Sequence, residues 1–384
     1  MKKALLLDTN VSSFPIYEYL LERGYDTFVV GKNPSDCLAK HAPNYINCDY
    51  SELDLLRAVI SEHRFDVIVP GCNDASYISA AKINECGRFY GLDSAAVSET
   101  INNKKEFKKF SKSIQLRTPR ELSKEESYSA RGPIIVKPAD TYSGRGVSVI
   151  HDVTKKAVDL AVESASALSP SSRYIIEEYV NGQLYSHTGF ICNRSLVADW
   201  LVIEDGSANE FTVDTSNLVH EFPGSMLDEI RQEVKKLSEA LSLVDGLVHT
   251  QFIKTEDSFR ILEVTRRCPG DLYSLLIEKS TGFKYAEAYT KFFLNEGFGQ
   301  QDLNFKSNYI LRHTLSSPGD TPFIGVQYKR ALDIDLFVPT NTAGSNVAKS
   351  PFGKIGLVFI KCGSYGELMD VKKCILNREL YTLK

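Results

Sequence analysis

Short apolar runs alternating with helical patterns over the first hundred residues constrain the fold of this chain most. ALLLD at 4–8, TFVVG at 27–31 and DVIVPG at 66–71 are strand-length runs, and helices are predicted near Ile16 to Arg23 and Glu52 to His63. Strand and helix in strict alternation specify a parallel sheet with right-handed crossovers. The loops after its strands, at 8–13, 31–35 and 71–74, then lie together at the carboxyl edge, where ligands bind in open α/β sheets. Ser12, Ser13, Asn73 and Asp74 become candidates for substrate contact, and each is equally at home as a turn residue.

A second signal lies at 134–149, IIVKPADTYSGRGVSV. Ile134, Ile135 and Val136 read as a buried strand, Val147 to Ile150 as its return strand, and the loop between them holds Gly144 and Gly146, which are free to take positive φ. Backbone N–H groups of such a loop can face phosphate oxygens, with Lys137 as a point charge and Ser143 and Arg145 as further donors. The spacing matches neither the Walker A loop nor GxGxxG. Downstream, 248–267 reads as two strands joined by a turn at Thr255 to Ser258. Period two makes Gln251 and Glu263 cross-strand neighbours, so an amide oxygen and a carboxylate can share a magnesium ion with ATP phosphates. A surface hairpin with a solvated Glu263 is the bland alternative.

Together these segments resemble the ATP-grasp family of carboxylate-amine ligases, from the N-terminus to about Phe298. Asn103-Lys104 followed by Phe107 resembles the family's first nucleotide lysine, and 134–149 its second lysine and phosphate loop. IIEEYVNG at 175–182 is similar to the hinge strand at the adenine, with Glu177, Glu178 and Val180 in the matching places. LEVTRR at 262–267 resembles the Glu-x-Asn-x-Arg segment.

The resemblance implies an α/β chain: a Rossmann-like domain at 1–101, a two-lobed ATP-grasp domain at 102–299 and a β-rich subdomain at 300–384. The small nucleotide lobe falls at about 117–180 and the large lobe at about 182–299. It implies transfer of the ATP γ-phosphoryl group to a small-molecule carboxylate, then attack by an amine on the acyl phosphate. Lys104 and Lys137 would offset phosphate charge, Gln251, Glu263 and Thr265 would hold Mg2+, with Mn2+ as a substitute, and Arg267 would stabilise the acyl phosphate oxyanion. The Arg266-Arg267 pair suits a carboxylate or acyl phosphate. A small-molecule kinase and a non-catalytic ATP-binding module remain as alternatives. This sequence departs from the family pattern at Thr265, where asparagine is usual, at Gln251, often an acid, and at Leu184, often glutamate.

Between these segments, 196–223 holds the lone Trp200 and reads as strands joined by a polar loop from Glu204 to Glu210; His220 and His249 suit core or surface positions better than a base role. Asp271 reads as the N-cap of a helix through Leu275 to Ile277, three of the lysines at 104, 105, 108 and 109 as a solvated helix face, and Arg312-His313 as a sheet-surface pair. With 384 residues, 43% of them hydrophobic, the chain can bury two or three cores, and a net charge of −4 argues against a nucleic-acid surface. Eight scattered cysteines show no zinc-ligand spacing and read as reduced thiols. The opening apolar run stops at Asp8, and no window approaches the ~20 apolar residues of a membrane helix, so the expectation is a cytoplasmic enzyme and a homodimer.

Overall fold

The computed structural model describes residues 1–140, 144–299 and 307–384. Its N-terminal part is a parallel sheet in the order Tyr45–Asn47, Asp26–Gly31, Lys3–Leu7, Val67–Pro70. Leu5 lies between Phe28 and Ile68 in register. Helices Phe14–Glu22, Cys37–His41 and Leu53–His63 connect the strands, and helix Asp74–Ile83 follows the last of them. Leu5, Leu6, Leu7, Ile68 and Val69 are wholly buried, as the unbroken apolar runs require of a sheet covered on both faces.

Two helices, Ala95–Asn102 and Lys104–Ser113, lead into the small lobe; Asn103 caps the second through the Lys105 and Glu106 N–H groups. That lobe is a three-stranded antiparallel sheet in the order Ser148–Ile150, Ile134–Pro138, Tyr174–Glu178. Helix Lys155–Leu168 lays Val158, Ala161 and Ala165 against Ile134, Val136 and Ile176, which gives the lobe a core of its own.

An antiparallel sheet of eight strands dominates the rest, in the order Phe259–Thr265, Gly246–Lys254, Gln183–Cys192, Ser195–Asp205, Thr215–Leu218, Tyr309–Leu315, Gly356–Cys362, Asp333–Pro339. Three strands beyond residue 300 therefore belong to the large-lobe sheet, so the boundary at 299/300 divides one sheet, while Thr321–Pro322 pairs with Asn346–Val347 and Val326–Tyr328 with Tyr381–Leu383 outside it. Helix Gly224–Leu241 covers one face through Ile230, Val234 and Leu237. Helices Tyr273–Thr281 and Tyr285–Phe293 pack Leu276, Tyr285 and Tyr289 into a cluster that runs unbroken from Leu5 of the first sheet to Phe359 of the last. Among the described residues no helix is long and apolar enough to cross a membrane.

Candidate active site

The hairpin of Gly246–Lys254 and Phe259–Thr265 pairs Gln251 with Glu263 by inserting one extra residue, Leu262, between that pair and the turn. Residues directly opposite in a sheet share a face. On that face Gln251 also meets Ser186, Glu204 meets Ser216, and Ser216 meets Arg312. A polar row thus crosses the sheet from Glu263 to Arg312. Gln251 donates its amide nitrogen to Glu204 Oε2 at 2.6 Å, so the amide oxygen is the atom that could meet a cation. Ser186 Oγ lies 3.1 Å from the Tyr273 hydroxyl. Burial, opposed by Ser186, Arg312 and Gln251, pushes the Glu204 carboxyl up to about 7.

Glu204 is a site residue that the sequence reading missed, placed there with the polar loop. The strand in fact runs through Asp205, and the loop occupies 206–214. The signal was present: Trp200, Val202 and Glu204 fall on one face of a period-two run.

Cations gather above Glu263. This carboxylate opens to the cleft but is enclosed by protein, and the enclosure raises it, as does Asp74, while Arg267, Lys104 and Lys137 lower it. Lys104 Nζ donates to the Pro138 carbonyl at 3.3 Å, and burial, with Lys137 nearby, depresses its pKa. Lys137 Nζ sits 2.6 Å from Glu177 Oε2. Glu177 is 2% exposed and also pairs with Lys108. Burial alone would raise this carboxyl, but the two lysines hold it below its ordinary range. Lys108 is thereby not part of a solvated face: its side chain is 9% exposed, because the helix turns it inward onto Glu177.

Glu178 accepts the Arg120 N–H at 3.0 Å, and Val180 lies in the connection from Tyr174–Glu178 to Gln183–Cys192. Gly144 and Gly146 take φ of +68° and +74°, as a loop that turns its N–H groups outward needs. A Cβ on Gly144 would stand 2.6 Å from Phe211, so Gly144 lies directly on the large lobe. Ser143 lies outside the described residues. Thr265 is buried on the same face as Glu263, its hydroxyl 3.4 Å from the Arg267 carbonyl.

The two adjacent arginines part. Arg267 Nε meets Asp74 Oδ1 at 2.8 Å, and Asp74 keeps the guanidinium protonated against the cost of burial. Arg266 is 3% exposed and committed to Asp93 and to the Leu247 and Val244 carbonyls, so it is structural rather than half of a substrate clamp. Asp74 reaches the cleft, but its neighbours do not act as substrate donors in this arrangement: Asn73 caps helix Asp74–Ile83, and Ser13 bonds Asp8. Asp271 has φ of +54° and caps no helix; it pairs with Lys354 and approaches Arg312 at 3.8 Å. Arg312 and His313 are both buried rather than on a sheet surface, with Arg312 Nη2 on Ser216 Oγ at 2.7 Å.

One carboxylate and one amide oxygen facing two lysines fit magnesium, which takes one or two protein oxygens and the rest from phosphate and water. Two lobes around a cleft of lysines, a glycine loop and an acid-amide pair define a nucleotide-binding enzyme fold. Residues 101–270 match the ATP-grasp domain model, and this part of the chain is an ATP-grasp domain. Ligases of that family use ATP with Mg2+. The N-terminal section of the carbamoyl phosphate synthase large chain from Methanopyrus kandleri is 24% identical over 311 residues, 71% of this chain and 51% of that one. The chain thus spans about half the length of that curated relative, and 29% of the Archaeoglobus fulgidus large chain, which is 21% identical over 326 residues. In fold it is similar to L-amino acid ligase from Bacillus licheniformis, with a TM-score of 0.80 and 16% identity over 100% of this chain and 99% of that one.

Proposed function

We propose that the protein is an ATP-dependent ligase that activates a small-molecule carboxylate as its acyl phosphate and passes the acyl group to an amine, releasing ADP and phosphate. The observation that carries this reading is the convergence of Lys104, Lys137 and Arg267 on Glu263, beside its cross-strand partner Gln251. Phosphoryl transfer needs little covalent help from protein and depends on positioning and neutralised charge. Lys104 and Lys137 offset the phosphates, the backbone at Gly144 and Gly146 cradles them, and Glu177 orients Lys137. Glu178 and Val180 border the base. Gln251 and Glu263 are the magnesium ligands, with Thr265 placed to reach the metal through water. Arg267, oriented by Asp74, stabilises the acyl phosphate oxyanion. The polar row on the same sheet face supports a substrate place between the phosphates and Arg312. We take the enzyme to be a cytoplasmic homodimer.

The test is magnesium-dependent ADP release, screened over amino acids, hydroxy acids and uronic acids, each with and without a pool of amines. Release that requires both a carboxylate and an amine is expected. Release without amine would make the enzyme a kinase, and ATP binding with no release from any mixture would make it a binding module.

A further inference from the structure

Phe352 has no role in a core. It is 58% exposed, yet it is held on a turn that is tightly fixed. Within that turn Lys349 N–H donates to Asp320 at 2.9 Å, Ser350 N–H to the Ser317 carbonyl at 2.7 Å and Phe352 N–H to the Lys349 carbonyl at 2.8 Å. Gly353 follows where a Cβ would stand 2.3 Å from the Ala348 carbonyl oxygen, so the backbone there is packed too closely for a side chain. Beyond it, Lys354 pairs with Asp271. A rigid turn that presents a bare ring to solvent needs another reason for its shape.

The ring's partner supplies one. The Arg145 guanidinium carbon lies 4.8 Å from the centroid of Phe352, a cation–π geometry. Arg145 stands between Gly144 and Gly146, whose positive φ and close approach to Phe211, Pro138 and Leu168 show the loop folded down against both lobes. The small lobe has its own core, whereas Phe352 follows the large-lobe strands in sequence and hangs from Ser317, just past Tyr309–Leu315. The contact therefore bridges two bodies that have no core in common at that point.

We propose that Phe352 is a positioning residue: its ring face seats Arg145, and with it the glycine loop, so that the C-terminal turn holds the phosphate loop over the nucleotide. The inference rests on the nucleotide reading above. Loss of an exposed cation–π contact corresponds to a roughly two- to fivefold weaker association.

The experiment uses the full chain with Phe352→Ala, Phe352→Leu and Phe352→Tyr. Limited trypsin digestion follows the cut after Arg145, with and without MgATP, against other tryptic sites as the control for global unfolding. Calorimetry measures MgATP affinity. Phe352→Ala and Phe352→Leu are expected to speed the cut after Arg145 selectively and to weaken MgATP binding roughly two- to fivefold, while Phe352→Tyr behaves as the parent. Equal cutting and equal affinity in Phe352→Ala and the parent would overturn the proposal, and parent-like behaviour of Phe352→Leu would overturn the role of the ring face. If the parent binds no MgATP, the nucleotide reading falls, and the cutting rates without nucleotide still decide whether Phe352 seats the loop.

Discussion

Lys108 and Lys137 reach the same buried carboxylate from different elements, and only Lys137, 22% exposed, opens on the cleft. Lys137→Ala leaves Glu177 with Lys108 as its partner, so the fold should persist while ADP release is abolished. Glu177→Ala strands two lysines against each other, one of them buried, and is expected to cost about 3–5 kcal/mol of stability in urea melts. Sequence alone placed Lys137 at the loop but could not show that Glu177 faces inward, because adjacent Glu177 and Glu178 differ only in which side of the strand each occupies. Protonation adds a pH signature. Burial pushes His249 down to about 3 and His313 to about 4, from ordinary values of 6.5. Between those values the unfolded chain binds more protons than the fold, so stability rises with pH. Glu204, raised from 4.5 to about 7, acts in reverse and loses stability as pH rises through that window. Two histidines outweigh one carboxyl among these three groups, so together they make acidification from 6.5 to 4.5 destabilising. His313→Gln should flatten the slope and Glu204→Gln steepen it, and a slope unchanged in both would remove these groups from the account.

At the scale of elements, a hairpin about the turn at 255–258 was legible, but its regular register would set Gln251 opposite Leu262, and only the extra residue there brings Glu263 opposite Gln251. The extra residue at Leu262 was not legible, since a bulge leaves the composition of a strand unchanged. Joining of Tyr309–Leu315, Gly356–Cys362 and Asp333–Pro339 to the large-lobe sheet was also hidden: each reads as a strand, but nothing local names a partner about a hundred residues away, as Thr215 is for His313. The glycine loop was the most legible element, because positive φ at Gly144 and Gly146 is a backbone demand. Gly144→Ala puts a Cβ 2.6 Å from Phe211 in a conformation that already costs an L-residue about 1 kcal/mol. The loop must then lift, and MgATP affinity should fall about fivefold or more with no change in melting temperature. Calorimetry on that variant decides whether the loop's seat on the large lobe matters for binding.

Across the whole molecule, cores and domains do not coincide. The N-terminal sheet and the large lobe share one apolar cluster, and a buried ion pair between Asp93 and Arg266, each side chain 1% exposed, pins the join together with the Tyr289 hydroxyl on the Pro70 carbonyl. The small lobe keeps a separate core. On the function proposed above, closure around a nucleotide would move the small lobe, with Lys137, against a single larger body that holds Arg267 and Asp74. Two outcomes follow from that division. Asp93→Ala leaves Arg266 buried without a counter-charge, so it should destabilise by about 3–5 kcal/mol and lower the melting of the N-terminal sheet and the large lobe together. Hydrogen exchange under native conditions should show the small-lobe strands opening at lower free energy than the rest, and slowing on MgATP addition, because a lobe with its own core can detach without unfolding the larger body. An N-terminal sheet that melts alone in Asp93→Ala would refute the shared core, and it would move the hinge of the enzyme to the junction near Asp93.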